Sequence, residues 1–474
     1  MTVFDHPSHA VLVSFRGDVR VDDLGESLLA VRPQERQFLF RRLSPYLKSA
    51  IFSLGAGAKM DELAGHILSA EGPIALATLS FYVRQFDEQG LLDRTVLADS
   101  LPYVTRTHIR GPVQEKKGAV DTAGRYTTSR FALMRRDGDR FLLESPRSHT
   151  QFIIRHGHML SWWWQLHGGL GFAQALRANE VLEKQGAEIL LRWLIEERFL
   201  TPLQAEETEE DADAALVQWE FHDLLFHARS RKGRHSNRYG GSYPWLGWAK
   251  SLPSTKASKG GTQVLLTVPG GSDGAAVFEA LDKRRSLREY GGRPMALWQL
   301  SHFLYRSARV LESTEGDDET TRRPYPSGGG RYPLELFIAA FRCDGIERGL
   351  YHYDPKAHLL ERIGVPGRLL DELADDLRTF TSRTAGWLPQ ISIVMTARFQ
   401  RVSWKYQSVA YSLVLKEVGA LMQTMYVVAT AMGLAPCAVG GGDSDLFTGL
   451  TGENYYCESA VGEFLLGSRE QELL

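Results

Sequence analysis

The chain has 474 residues, 43% of them hydrophobic and 24% charged, which fits two or three folded domains and excludes wholesale disorder. Its 55 Lys and Arg nearly balance 57 Asp and Glu, for a net charge of −2. That argues against a chain-wide nucleic-acid surface or a polybasic membrane surface.

The three cysteines, Cys343, Cys437 and Cys457, are too few and too scattered for a disulfide scaffold or a Cys-rich zinc site. They suit a reducing cytoplasm. The first residues lack the charged-then-apolar order of a signal peptide, and no uninterrupted apolar run reaches the ~20 residues of a membrane span. Glycine stands out: 45 residues, against roughly 33 at the usual ~7%.

In chain order, Asp61 is expected to cap a short helix, DELAGHILSA. A turn at Gly72-Pro73 precedes a longer helix, IALATLSFYVRQFDEQ, stopped by Gly90, and Leu91-Leu92 open a strand. This order suggests a winged helix. YTTSRFALMRR and FLLES form strands around the hairpin signal Asp137-Gly138.

A second unit starts near Ser161 with the aromatic stretch LSWWWQLHGGLGFAQAL, then a helix, GAEILLRWLIEERFL. Its exit resembles FDEQGLLDR, which raises an internal duplication. The acidic run at 205–214 reads as a solvated linker or a helix start, and as the main boundary. A helix, LVQWEFHDLLFHA, leads into the basic cluster RSRKGRHSNRYGGSY, and 250–275 reads as a loop. From Ala276 helices and strands alternate, the pattern of a sheet covered by helices. LELFIAAF and ISIVMTARF are strands, and a long helix spans roughly 408–432.

Three stretches carry chemistry. In KRRSLREY, Arg284, Ser286 and Arg288 have two-residue spacing, so an extended backbone aims them one way. Two guanidiniums and a hydroxyl suit a phosphate and polar ring edges; the bland alternative is a charged helix end. In YPSGGGRYPLELF, glycines at 328–330 let backbone approach a planar ligand, and no Walker or GxGxxG pattern is present. A plain flexible loop is the alternative. In the third, Lys405-Tyr406 precedes the long helix, and Gly440–Gly442 follow Val439. A lysine and a phenol act as base and acid where desolvation lowers the lysine pKa. His222 and His227 lie five apart, off-face on a helix, and no metal site is expected.

Together, in this order, RRSLREY, YPSGGGRYPLELF, LYHYDP, Lys405-Tyr406, GLAPCAVGGG and AVGEFLLG resemble the SagB-type peptide dehydrogenases, a branch of the nitroreductase-like flavoproteins. The N-terminal region resembles that of azoline oxidases from cyanobactin-like pathways. The resemblance implies an α+β, nitroreductase-like, FMN-binding fold at 206–474. Ahead of it stand winged-helix-like units at 1–105, a candidate for peptide recognition, and 106–205. It implies a cytoplasmic homodimer oxidising thiazoline or oxazoline rings of a precursor peptide to azoles, with hydride to flavin N5, dioxygen as electron acceptor and a cyclodehydratase partner.

Carried over residue by residue, FMN contacts fall on Arg284, Arg285, Ser286, Arg288, Pro326, Ser327, Gly328, Gln423, Gly440 and Gly441, with Arg469 as a phosphate contact. Lys405 and Tyr406 take the proton. Relatives in the wider group carry Asn-x-Gln-Pro after the serine-glycine turn, where this chain has Gly330, Arg331 and Tyr332. The rival readings are an NAD(P)H-dependent nitroreductase or quinone reductase, a non-catalytic scaffold, and a DNA-binding regulator. No nucleic-acid or membrane partner is expected.

Overall fold

The computed structural model describes residues 10–25, 28–33, 37–109, 120–231, 233–235, 275–314, 319–384, 387–406 and 409–469. Most of the expected 250–275 loop and part of the basic cluster lie outside them. The chain divides into two units: 1–229 with 233–236, and 230–232 with 237–474.

The first unit is built twice on one plan. Helices Pro45–Ser53, Met60–Glu71 and Pro73–Glu88 are followed by strands Leu92–Ala98 and Leu101–His108. Further on, helices His158–Leu166, Phe172–Arg177 and Lys184–Glu196 are followed by strands Leu200–Gln204 and Glu207–Thr208. The strand orders match. Ala58–Lys59, Val11–Phe15, Leu92–Ala98 and Leu101–His108 lie side by side; so do Leu170–Gly171, Arg125–Thr128, Leu200–Gln204 and Glu207–Thr208.

The two similar helix exits also share a cap. Gly90 and Arg198 both turn left-handed, at φ 67° and 61°. The next amide reaches back five residues in each, Leu91 N to Phe86 O at 2.9 Å and Phe199 N to Leu194 O at 2.8 Å. Met60–Glu71 starts without the expected cap: Lys59 holds the capping position, and Asp61 accepts from Glu62 N instead.

The two halves do not separate at 105/106. That boundary cuts strand Leu101–His108, which pairs with Thr150–Ile154. The sheet continues through Arg140–Glu144 to Leu133–Asp137, whose hairpin turns at Gly138 with φ 63°. Of the two readings of 205–214, the helix start holds and the solvated linker does not. Thr208 caps the short helix Glu209–Ala212, and Glu210 is buried, accepting from Ser129 Oγ, Arg130 N and Arg147 Nη1. Three donors around one buried carboxylate make this segment part of the fold, so residues 206–229 belong to the first unit.

The second unit holds a six-stranded antiparallel sheet. Its order is Leu359–Ile363, Gly349–Asp354, Leu334–Ala340, Ile391–Arg398, Glu458–Ser468, Leu434–Val439. Ile391–Arg398 is buried at every position but its last, because helices cover both faces. Gly367–Phe380 and Ser444–Thr451 lie on one side with Phe337, Leu373, Phe447 and Leu465 between. Leu297–Ala308 and the 22-residue helix Ala410–Ala431 pack together, and the long helix also packs on Leu434–Val439 and Glu458–Ser468. Its buried Tyr411, Val414, Val418, Leu421, Met425 and Ala429 recur every three or four residues. Gly462 lets it approach, since a Cβ there would meet Met422 Cε at 2.9 Å.

Candidate functional site

The Arg284–Tyr290 segment leaves helix Ala275–Lys283 without regular structure and is tied alongside strand Leu434–Val439 by Leu287 N to Pro436 O, 2.7 Å. Its alternate side chains turn to one surface, as the spacing requires. The Arg284 guanidinium lies 5.1 Å from the Tyr426 ring centroid, and Ser286 Oγ is 2.6 Å from Tyr426 Oη. That hydroxyl also accepts from Ala438 N at 2.8 Å. Arg288 lines a cavity of about 470 Å³ with Ser230, Thr381, Val439, Gly440 and Gly441. Beneath it Cys437 is fully buried; burial pushes its thiol pKa up, while Arg288 beside it pulls the other way. Arg285, Gln423 and Arg469 are exposed, and among the described residues they make no contact that joins them to this cavity.

A second cluster forms at the serine-glycine turn. Gly329 and Gly330 are left-handed at φ 61° and 66°, and Tyr332 follows at 43°. Tyr332 is buried, and its hydroxyl donates to Tyr325 O at 2.7 Å, so the turn is anchored rather than loose. Ser327 Oγ accepts from Tyr332 N at 2.9 Å and donates to Glu417 Oε2. Gly328 rests on Leu413, four residues before Glu417 and therefore on the same helix face.

Arg331 Nε donates to Arg401 O at 2.7 Å while Arg401 Nη2 returns a bond to Arg331 O at 2.9 Å. This brings Lys405-Tyr406 to the turn, where the Tyr406 hydroxyl occupies the space a Gly329 side chain would need. Tyr406 is half-buried. Lys405 is exposed, so the desolvation expected of it is not found. Pro326 is exposed as well.

The two clusters sit on opposite sides of the long helix. Glu417 and Tyr426 are nine residues apart, which is about 900° of rotation, a half-turn out of phase, and about 14 Å of rise. One chain brings Arg284, Ser286 and Arg288 to Gly440-Gly441, and Ser327-Gly328 to Tyr406. It does not join the two sets. Glu417 and Tyr426 escaped the sequence reading, although a carboxylate inside a largely apolar helix was a usable signal.

Elsewhere, His227 is buried and stacks on Trp219 with centroids 5.7 Å apart, a core role. Trp162 is buried and donates to Ala175 O at 2.9 Å, whereas Trp164 is exposed. From the basic cluster, Arg231 is buried in the second unit, donating to Ser444 Oγ at 3.0 Å and pairing with Glu463.

The family model for cyanobactin oxidase ThcOx matches residues 126–236, and that of the nitroreductase family matches 281–457. A putative nitroreductase of Methanocaldococcus jannaschii is 32% identical over 163 residues, 34% of this chain and 77% of the relative. The microcin B17-processing protein McbC of Escherichia coli is 31% identical over 122 residues, 25% of this chain and 44% of the relative. The trifolitoxin-processing protein TfxB of Rhizobium leguminosarum bv. trifolii is 28% identical over 121 residues, 24% of this chain and 31% of the relative. The chain thus spans less than half of either peptide-processing relative.

Proposed function

The chain belongs to the nitroreductase family, and from that premise we propose that it is an FMN-dependent oxidoreductase converting thiazoline or oxazoline rings of a ribosomally made peptide to thiazoles or oxazoles. The observation that carries this reading is the convergence of Arg288 and the Gly440-Gly441 backbone on one cavity, with Arg284 and Ser286 held on Tyr426 beside it. The cavity's size, its cation and its side-chain-free backbone fit an anionic, partly planar cofactor. Arg284, Ser286, Arg288 and Gly441 would hold it, and bound FMN supplies a hydride acceptor. Lys405 or Tyr406, brought together at the turn, takes the ring Cα proton in its deprotonated form, as free amine or phenolate.

A homodimer fits the two clusters. A twofold pairing would let the Ser327–Tyr406 cluster of one chain complete the Arg284–Gly441 cavity of the other. The long helix supports this, since it leaves Gly419 and Gln423 exposed and several apolar residues only half-buried. A peptide substrate is supported by the cyanobactin oxidase match and the two peptide-processing relatives. We assign peptide recognition to the first unit, whose seven-stranded sheet ends on Ala58–Lys59 and Leu133–Asp137, edges able to accept a further strand. An azoline arises by dehydrating ring closure, so a cyclodehydratase supplies the substrate. Dioxygen reoxidises the enzyme, and the setting is cytoplasmic.

The test is anaerobic bleaching of the purified yellow protein. Azoline peptide is expected to bleach it and NADPH is not; the reverse result favours a nitroreductase. Lys405→Ala or Tyr406→Phe protein that keeps FMN yet oxidises azoline peptide at the wild-type rate would remove those residues from the mechanism.

A further inference from the structure

The Ser327 hydroxyl has its proton and one lone pair committed in this structure. A serine has one proton to give and two lone pairs to receive with. Here one lone pair takes the Tyr332 amide and the proton goes to Glu417 Oε2. Glu417 itself is 4% exposed, and its other oxygen, Oε1, is buried with no hydrogen-bond partner among the described residues.

That asymmetry decides where a proton on Glu417 would sit. On Oε1 it would have nothing to donate to; on Oε2 it would donate to Ser327 Oγ. With both lone pairs of Ser327 then filled from inside, its own proton must turn away from the core. Ser327 is only half-buried, and outward lies the face of the serine-glycine turn.

We propose that Glu417 is a positioning residue whose protonation decides whether Ser327 donates inward to the helix or outward to the group bound at the turn. This rests on the flavin reading of that turn. The groups facing Glu417 are Arg323, Tyr325 and Ser327, with Tyr332 stacked edge-on against Tyr325, and Tyr406 across the turn at Gly329. Burial pushes the Glu417 carboxyl up to about 7, although Ser327 and Arg323 pull it down. The carboxylate form points Ser327 inward above that pH; below it, the serine gains an outward donor suited to a ligand atom that becomes more negative on reduction.

The experiment has two readouts. In apo protein, infrared titration follows a protonated carboxyl band with a midpoint near 7, absent in Glu417→Gln and shifted in Ser327→Ala. In FMN-loaded protein, the flavin absorption envelope changes with the same midpoint. That change is lost in Glu417→Gln and in Ser327→Ala, each of which checks the other should one fold poorly. A Glu417→Gln protein that keeps the wild-type pH-dependent flavin spectrum overturns the proposal, as does an apo protein without a carboxyl titrating near 7. A wild type that binds no FMN refutes the flavin reading instead; the apo titration and its Ser327→Ala shift then decide the serine switch alone.

Discussion

Tyr426→Phe removes one oxygen and leaves the packing in place. The ring keeps its edge-on contact with Phe464, centroids 5.1 Å apart, and its place beneath Arg284. Lost are the acceptor of Ala438 N and the 2.6 Å partner of Ser286. Two ordinary hydrogen bonds are worth ~1 kcal/mol each, and a part-buried amide is left without its acceptor, so the expected cost is about 1–3 kcal/mol.

The loss should fall on the second unit. Urea unfolding of the apo chain should show it as a shift of one transition, with the other unmoved. Ser286 loses the anchor that aims it, so FMN titrated by fluorescence quenching should bind ~10-fold more weakly, about 1.4 kcal/mol. Unchanged unfolding together with unchanged FMN affinity would refute the idea that this hydroxyl clamps the Arg284–Arg288 segment to its neighbouring strand.

Gly442→Ala would place a methyl group against Glu463 and 2.7 Å from Arg231 Nη2, prying apart a buried ion pair. A loss of ~3–5 kcal/mol is expected, read as poor soluble yield and a lowered Tm. Glu210→Ala strands the buried Arg147 guanidinium and should cost a similar ~3–5 kcal/mol, whereas Glu209→Ala, one exposed position away, should cost under ~0.5; equal Tm values would restore the linker reading. Stability should also depend on pH through His352 and Glu335, 3.1 Å apart.

The Glu335 bond raises the His352 pKa above its ordinary 6.5. This contribution is full below that value and fades as pH rises through the raised one. Burial opposes ionisation of Glu335, but His352, Arg323 and Arg398 together hold its pKa below 4.5. That part is full above 4.5 and fades on acidification. His352→Gln should flatten the alkaline-side fall in Tm; an unchanged slope would exclude the pair as its source.

Much of the chain was legible because its signals are local. Asp137-Gly138 makes its hairpin, Gly90 stops its helix, and the spacing of Val418, Leu421 and Met425 marks the buried face of the long helix. Alternation alone aimed Arg284, Ser286 and Arg288 together. The acidic run left linker and helix start undecided for the opposite reason. Its composition is that of a solvated linker, and only the distant Ser129, Arg130 and Arg147 turn Glu210 inward.

The same holds at the site. Ser327 and Glu417 are 90 positions apart, and Arg231 and Glu463 are 232 apart. A side chain's partner at such range is set by how strands and helices stack, because burial makes an unpaired charge costly and selects whichever opposite group the fold delivers. Sequence by itself determined most elements of the second unit, their order and the residue types that carry the chemistry. Only the tertiary structure decided that these fall into two clusters on opposite faces of one helix, because that phase depends on which residues the helix must bury against its sheet.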